Sequence, residues 1–333
     1  MALQAVVHGD WRVFIASWSA FMPALSRPLG AAALLAATSA WGSLFLVVKP
    51  VLTHVDPVWF TLLRYTIATL GLAALLLWRG AFPWQKLRAH GWQLAAFGTM
   101  GYGLFSILVL TGLSHSQPSH GAVVMATAPI TAQFVRWALD GVRPGRIALV
   151  GTALALAGVV MVSGVLAGPS GSGSTLGGDL IALVGTLCWI AYTRGSMRFR
   201  ELDVLEFSGL TAIASWPLLL LGTLAASALH WVAIPSQDAV VTSWHALVYI
   251  GVVPTIIAVL AYNAGVKSLG VVTGTAFLNF VPVSAVLFGM ALGKRPEAHE
   301  LFGVALVVIA LGVHTLSLQR PAAPAAPLKR CAA

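Results

Sequence analysis

The sequence predicts an all-α membrane protein of ten transmembrane helices, built as two inverted five-helix repeats. Three observations lead there. Only 9% of the 333 residues are charged and 58% are hydrophobic, whereas a soluble domain carries roughly a quarter charged residues. The apolar runs recur at the length of about 20 residues that a helix needs to cross a hydrocarbon core. Residues 30–166 and 177–318 also share landmarks in the same order: Trp41 with Trp189, Asp56 and Phe60 with Asp203 and Phe207, Trp92 with Trp244, Gly121 and Pro129 with Gly274 and Pro282, and Gly151 with Gly303. Five spans per copy is an odd number, so the second copy enters the membrane from the opposite side. Secondary transporters are built this way, with a site near the midplane between the halves.

The elements follow in order. Residues 1–29 lack the basic start and cleavage site of a signal peptide, and their apolar stretch is too short to span. They are expected to form a cytoplasmic, interfacial or poorly ordered segment. A first repeat is expected over 30–167, with spans near 30–49, 57–78, 92–113, 119–138 and 145–166. The Gly/Ser-rich residues 168–177 read as a flexible linker. A second repeat is expected over 178–318, with spans near 178–195, 204–229, 242–266, 270–292 and 298–318. The Pro/Ala-rich residues 319–333 read as a disordered cytoplasmic tail. Helices are required because lipid offers no partner for free backbone amides and the runs lack strand alternation.

Charge sets the orientation. Fifteen of the 19 basic residues fall in segments on one side, among them Arg79, Lys86, Arg88, Arg136, Arg143, Arg194 and Arg198. Such a bias marks the cytoplasmic side and predicts that both termini lie there, in a bacterial-type inner (plasma) membrane. The net charge of +9 is thereby explained without a nucleic-acid partner; a lipid bilayer and a small-molecule substrate are the partners expected. No phosphate-cradling G-x-x-x-x-G-K-[ST] loop is present. No histidine pair has ligand spacing beside carboxylates, and no Ser/His or Asp/Asp arrangement lies within a span. The sequence therefore predicts no catalytic residue, cofactor or metal, and Cys188 and Cys331 make no disulfide framework.

With the repeat and topology established, the chain resembles the EamA-type, ten-helix branch of the drug/metabolite transporter superfamily. The resemblance rests on Ala40-Trp41-Gly42-Ser43, Lys49, Pro57, Arg64, the Gly121…Pro129 helix and the Gly151…Gly158-Val159 helix. Trp189, Gly274, Pro282 and Gly303 repeat the pattern more loosely. Family members often carry a Glu after the fourth and ninth helices; here Asp140 and the run Gly293-Lys294-Arg295 stand there. The aromatic composition looks most like the bacterial aromatic amino-acid exporter branch.

By the repeat logic, the first, third and fourth spans of each copy line the cavity. Trp41 and Trp189 are symmetry mates, readable either as walls that stack on substrate or as packing residues. Tyr102, Tyr192, Tyr262, Asn263 and Asn279 place polar tips at membrane depth, where each needs a partner from a neighbouring helix or a substrate. Pro129 and Pro282 are expected to kink their helices, each freeing a carbonyl one turn back. Arg64 lies seven residues into its helix, about 10 Å deep; its position on the second span favours gating or packing over substrate contact. His120 opens the fourth span as a solvated residue, and no intramembrane Asp or Glu offers a proton relay, which leaves coupling open. These residues suggest an exporter of small amphipathic metabolites, aromatic and other neutral amino acids foremost, working by alternating access. A broad drug or nucleoside exporter is the alternative within transport. Outside it stand a membrane enzyme and a non-transporting receptor.

Overall fold

The computed structural model describes residues 25–80, 82–114, 127–162, 176–293 and 295–317. All regular structure among them is helical. In the first repeat α1 covers Arg27–Val51 and α2 Pro57–Arg79. The third span joins α3 (Trp84–Gly98), a π-helical segment (Thr99–Leu104) and α4 (Phe105–Ser114), and is followed by α5 (Ala128–Asp140) and α6 (Arg146–Val162). In the second repeat α7 covers Leu176–Arg198 and α8 Val204–Ala228, with a short α9 at Gln237–Thr242. The eighth span joins α10 (Trp244–Ile250), a second π-helical segment (Gly251–Ile257) and α11 (Ala258–Leu269). The ninth is broken into α12 (Val271–Phe277) and α13 (Phe280–Ala291), and α14 covers Ala298–Ser317. Among the described residues, seven helices are long and apolar enough to cross a membrane, and the apolar stretches Arg146–Val162 and Ala298–Val313 are shorter. Most of the N-terminal segment, the linker and the tail lie outside the described residues, as does His120.

Local chemistry explains several boundaries. Asp56 accepts a hydrogen bond from the Val58 amide ahead of Pro57, an N-cap followed by proline at the first helical position. Its repeat mate Asp203 caps α8 in a reciprocal box with Glu206. The Asp56/Asp203 landmark is thus a pair of helix caps. The third span begins at Trp84 rather than near residue 92. Its polar first turns continue the helix because Lys86 reaches Glu206 at 2.7 Å and His90 Nε2 lies 3.1 Å from Glu201.

The two repeats are interleaved. α1 packs on α11, the second π-helical segment and α13 of the second repeat, while α7 packs on α4, the first π-helical segment and α5 of the first. α2 packs on α8 and α6 on α14. Exchanging the repeats turns this set of partners into itself, so the packing has pseudo-twofold symmetry. α6 and α14 cross closely. A Cβ on Gly158 would stand 2.8 Å from the Gly303 carbonyl, and one on Gly303 would stand 2.5 Å from the Gly158 carbonyl. Only hydrogen at both positions lets the two backbones meet, a small-residue contact typical of membrane helices. Outward faces carry Leu70, Leu77, Leu221 and Phe302, with exposed Trp92 and Trp231 among them, as lipid-facing surface with aromatic anchors requires.

One end of the bundle carries a set of polar links between repeats. Arg79 pairs with Asp203, Lys86 with Glu206, and Arg194 with Asp140 through two hydrogen bonds of 2.9 and 2.7 Å. The hydrogen bonds from Arg194 hold the Asp140 carboxyl below its usual range.

Candidate functional site

Both π-helical segments, Thr99–Leu104 and Gly251–Ile257, lie on the third span of their repeat, in corresponding places of the two copies. In the second segment Pro254 has no amide hydrogen to offer the Ile250 carbonyl, so the Thr255 hydroxyl takes that carbonyl at 2.7 Å. The Pro254 carbonyl then accepts the Trp41 indole N–H, also at 2.7 Å. In the first segment Gly101 and Gly103 flank Tyr102. A Cβ on Gly101 would stand 2.4 Å from the Tyr192 ring, so glycine lets that ring lie against the backbone. Widened turns of this kind recur at functional sites.

Between the two segments an aromatic cluster crosses the repeat interface. The Trp41 and Trp189 rings meet edge to face, with centroids 5.4 Å apart and planes at 86°. Tyr262 lies 5.1 Å from Trp41 and 5.3 Å from Trp189. Tyr192 lies 5.4 Å from Trp189 and 5.1 Å from Tyr102, and Phe105 closes on Trp189 at 4.9 Å. The symmetry-mate tryptophans therefore sit where the two halves touch.

A hydrogen-bonded string binds the cluster. The Asn263 amide donates to the Tyr192 hydroxyl at 2.8 Å and to the Ser208 hydroxyl at 2.9 Å. The Tyr192 and Tyr102 hydroxyls are 2.7 Å apart, and Tyr102 donates to the Ser208 carbonyl at 3.2 Å. Because Tyr102 spends its proton on that carbonyl, Tyr192 is the donor between them. Thr211 approaches the Tyr102 hydroxyl at 3.3 Å, and the Trp189 indole donates to the Tyr262 hydroxyl at 3.3 Å.

Of the seven residues expected to contact substrate, Trp41, Tyr102, Trp189, Tyr192, Tyr262 and Asn263 form this one cluster. All but Trp41 are essentially buried. Asn279 occupies the break between α12 and α13, 1% exposed, with neither amide atom hydrogen-bonded. The Asn263 carbonyl oxygen is likewise buried without a partner. Such groups are uncommon and each requires an explanation.

The residues expected to kink or gate are placed as follows. Pro282 sits in the first turn of α13, just past a break in the span. The Leu278 carbonyl, which a regular amide at 282 would have used, accepts the Val281 amide at 3.0 Å instead; the freed carbonyl is thus satisfied by a tighter turn. Pro129 lies in the first turn of α5, and the carbonyl one turn before it belongs to a residue outside the described set. Arg64 faces Ser106 and Tyr65, donating from Nη2 at 2.9 and 2.8 Å, with its guanidinium 4.6 Å over the Tyr65 ring.

Sequence reading missed Tyr65, Phe105, Ser106, Ser208, Thr211 and the Pro254 carbonyl. Tyr65 packs on Tyr102 at 5.0 Å and had one available signal, its position next to the intramembrane Arg64. The serines and threonine had none, since other such residues, Thr38, Thr61 and Thr193 among them, bond to a carbonyl of their own helix.

Comparison with known proteins follows the same lines. The model of the EamA-like transporter family matches twice, over residues 28–164 and 176–316. The uncharacterized transporter YrdR of Bacillus subtilis (strain 168) is 28% identical over 288 residues, 85% of this chain and 90% of that protein. The aromatic amino acid exporter YddG of Ancylobacter novellus is 29% identical over 283 residues, 80% of this chain and 90% of that protein. One solved crystal structure superposes with a TM-score of 0.69 at 24% identity, over 89% of this chain and all of the other; at that identity the likeness speaks for the fold alone.

Proposed function

The chain belongs to the EamA-like transporter family, and from that premise we propose that it exports aromatic and other neutral amino acids by alternating access, with the aromatic cluster as its substrate-contacting centre. Membership carries the coarser statement, that the protein is a membrane transporter of small molecules. The finer one rests on a single observation: Trp41, Tyr102, Trp189, Tyr192, Tyr262 and Asn263, contributed by both repeats, converge where the halves meet. The 29% identity to an aromatic amino acid exporter supports the substrate class.

The arrangement suits the task. Ring faces stack on a planar or apolar side chain, while amide and phenol groups accept or donate to the polar end of an amino acid. In this conformation the rings fill one another's faces, so substrate enters only when the repeats rock apart. Parting Trp41 from Trp189 opens two indole faces at once. The end rich in arginine and lysine is cytoplasmic in this reading, with both termini on that side of a bacterial inner membrane. The polar links across that end hold the repeats together there and are the contacts a cytoplasmic opening breaks.

Counterflow of labelled amino acids into proteoliposomes tests the proposal, with Trp41→Ala and Trp189→Ala beside the parent. Saturable flux of aromatic or neutral amino acids, lost in both variants while folding persists, is the expected result. Absence of such flux from folded parent protein overturns the substrate class and moves the search to drugs and nucleosides. Flux surviving both changes removes the aromatic cluster from the site.

A further inference from the structure

Arg64 is charged at a depth of about 10 Å, and among the described residues no carboxylate pairs with it. Its guanidinium is held by neutral groups: the hydroxyls of Ser106 and Tyr65 on Nη2, the Tyr65 ring at 4.6 Å and the Phe60 ring at 5.7 Å. The Nε–H is buried with no partner at all. Among the described residues, Arg79, Lys86 and Arg194, which pair with acids, lie at one end of the bundle. An intramembrane cation without a counterion is costly. Ring faces and hydroxyls reduce that cost, yet they leave the positive charge in place. A structural tie at this position would be served as well by a neutral donor.

The location adds a second observation. Tyr65, under the guanidinium, packs on Tyr102 at 5.0 Å, and Tyr102 is the ring next to Tyr192 in the aromatic centre. Ser106, which receives the guanidinium, is one residue beyond Phe105, which packs on Trp189. Arg64 therefore stands at the rim of the centre, one ring removed from its core. Guanidinium is the side chain best matched to a carboxylate, which it binds through two parallel hydrogen bonds.

We propose that Arg64, with Ser106, is the anion subsite of the transporter and that its missing counterion is the carboxylate of the substrate. This rests on the reading of the aromatic cluster as the substrate-contacting centre. It makes the substrate class carboxylate-bearing: an amino acid binds with its carboxylate at Arg64 and its side chain toward Tyr102, while amines and amides of the same shape lack the recognised group. A carboxylate bound there would also give the buried Nε–H an acceptor.

The test is counterflow with the full-length chain in proteoliposomes, comparing labelled L-phenylalanine with L-phenylalaninamide, which keeps the ring and the amino group but not the carboxylate. The parent is expected to prefer the acid by more than about tenfold, the scale of a buried charge pair. In Arg64→Gln the acid falls to the level of the amide while amide flux persists; Arg64→Lys retains part of the preference. Ser106→Ala raises the KM for the acid several-fold, by more than it raises the KM for the amide, so the preference narrows. That variant and Arg64→Lys keep the test decisive if Arg64→Gln fails to fold. A parent that does not discriminate, a preference unchanged in the Arg64 and Ser106 variants, or an equal loss of acid and amide each overturns the subsite. Trp41→Ala separates the two proposals, because it should lower acid and amide alike. If it does so while the Arg64 variants keep the parent's preference, the aromatic centre stands and the anion subsite falls. Folded parent protein that carries neither ligand removes both.

Discussion

Asn263 and Asn279 are two buried amides in opposite situations, and the difference predicts opposite consequences of the same substitution. The Asn263 NH₂ group serves Tyr192 and Ser208 at once. Asn263→Leu leaves the Ser208 hydroxyl unpaired in the core and Tyr192 with only its bond to Tyr102, and a buried group left unsatisfied costs about 1–3 kcal/mol. A lowered thermal midpoint in detergent is the expected readout. Asn279 bonds to nothing in this conformation, so Asn279→Leu removes an existing penalty and should hold or raise that midpoint. If Asn279 meets substrate when the repeats part, the same variant loses flux while gaining stability. Stability and flux falling together would place Asn279 in the scaffold. The two asparagines look alike in the sequence, as polar residues at membrane depth. Only their neighbours distinguish them, and those come from α7 and α8.

At the level of elements, the π-helical segments and the glycine crossing are where backbone shape controls the site. Pro254→Ala returns an amide to the Ile250 carbonyl and favours a regular α-turn. The Pro254 carbonyl then leaves the Trp41 indole, whose hydrogen bond is worth about 1 kcal/mol. A shifted tryptophan emission with reduced counterflow is expected; parent-like emission and flux would show the widened turn to be dispensable. Gly303→Leu inserts a side chain where even a Cβ would stand 2.5 Å from the Gly158 carbonyl. Overpacking of that kind typically costs about 1–3 kcal/mol, and the thermal midpoint should drop. Gly222, with nothing within 4 Å of its Cβ position, is the control that should tolerate leucine. The Gly158/Gly303 landmarks were visible in the sequence. Their mutual contact was not, because the repeat aligns Gly303 with Gly151 and says nothing of which helix each one faces.

Across the whole molecule, the polar links at one end join repeat to repeat, so they act on the equilibrium between conformations more than on either half. Lys86→Glu places two acids opposite each other at the Glu206 site and should slow transport or destabilise this conformation. The double reversal, Lys86→Glu with Glu206→Lys, should restore it. The coupling expected of a pair at the bundle end is about 0.2–1 kcal/mol, measured as a double-mutant cycle on the thermal midpoint. Glu206 also caps α8, so incomplete rescue would report the cap rather than the pair. The Arg194–Asp140 link carries a pH signature. Arg194 depresses the folded pKa of Asp140, so its stabilisation is fully present above the ordinary carboxylate pKa and is lost as pH falls through the depressed value. Parent and Asp140→Asn should therefore differ by a constant amount from pH 7 to about pH 5 and converge only in stronger acid. A difference that stays constant even in stronger acid would mean that Asp140 titrates alike in the folded and unfolded chain.

The sequence by itself determined the helical membrane class, the two-copy plan and the pairing of Trp41 with Trp189. Each is written in features that survive without coordinates: the length of apolar runs, their near-absence of charge, and the order of large residues at a fixed offset. It also placed Arg64 as a charge inside a span. The tertiary structure alone decided that the two tryptophans touch, that Tyr65, Ser106, Ser208 and Thr211 gather around the aromatic cluster, and that Arg64 has no acid beside it among the described residues. The physical reason is rotational. A helix that is apolar nearly all round does not announce which face meets its neighbours. In lipid that choice is made by close backbone approach and by polar groups finding partners on other helices. Both depend on which helix of one repeat slots against which helix of the other.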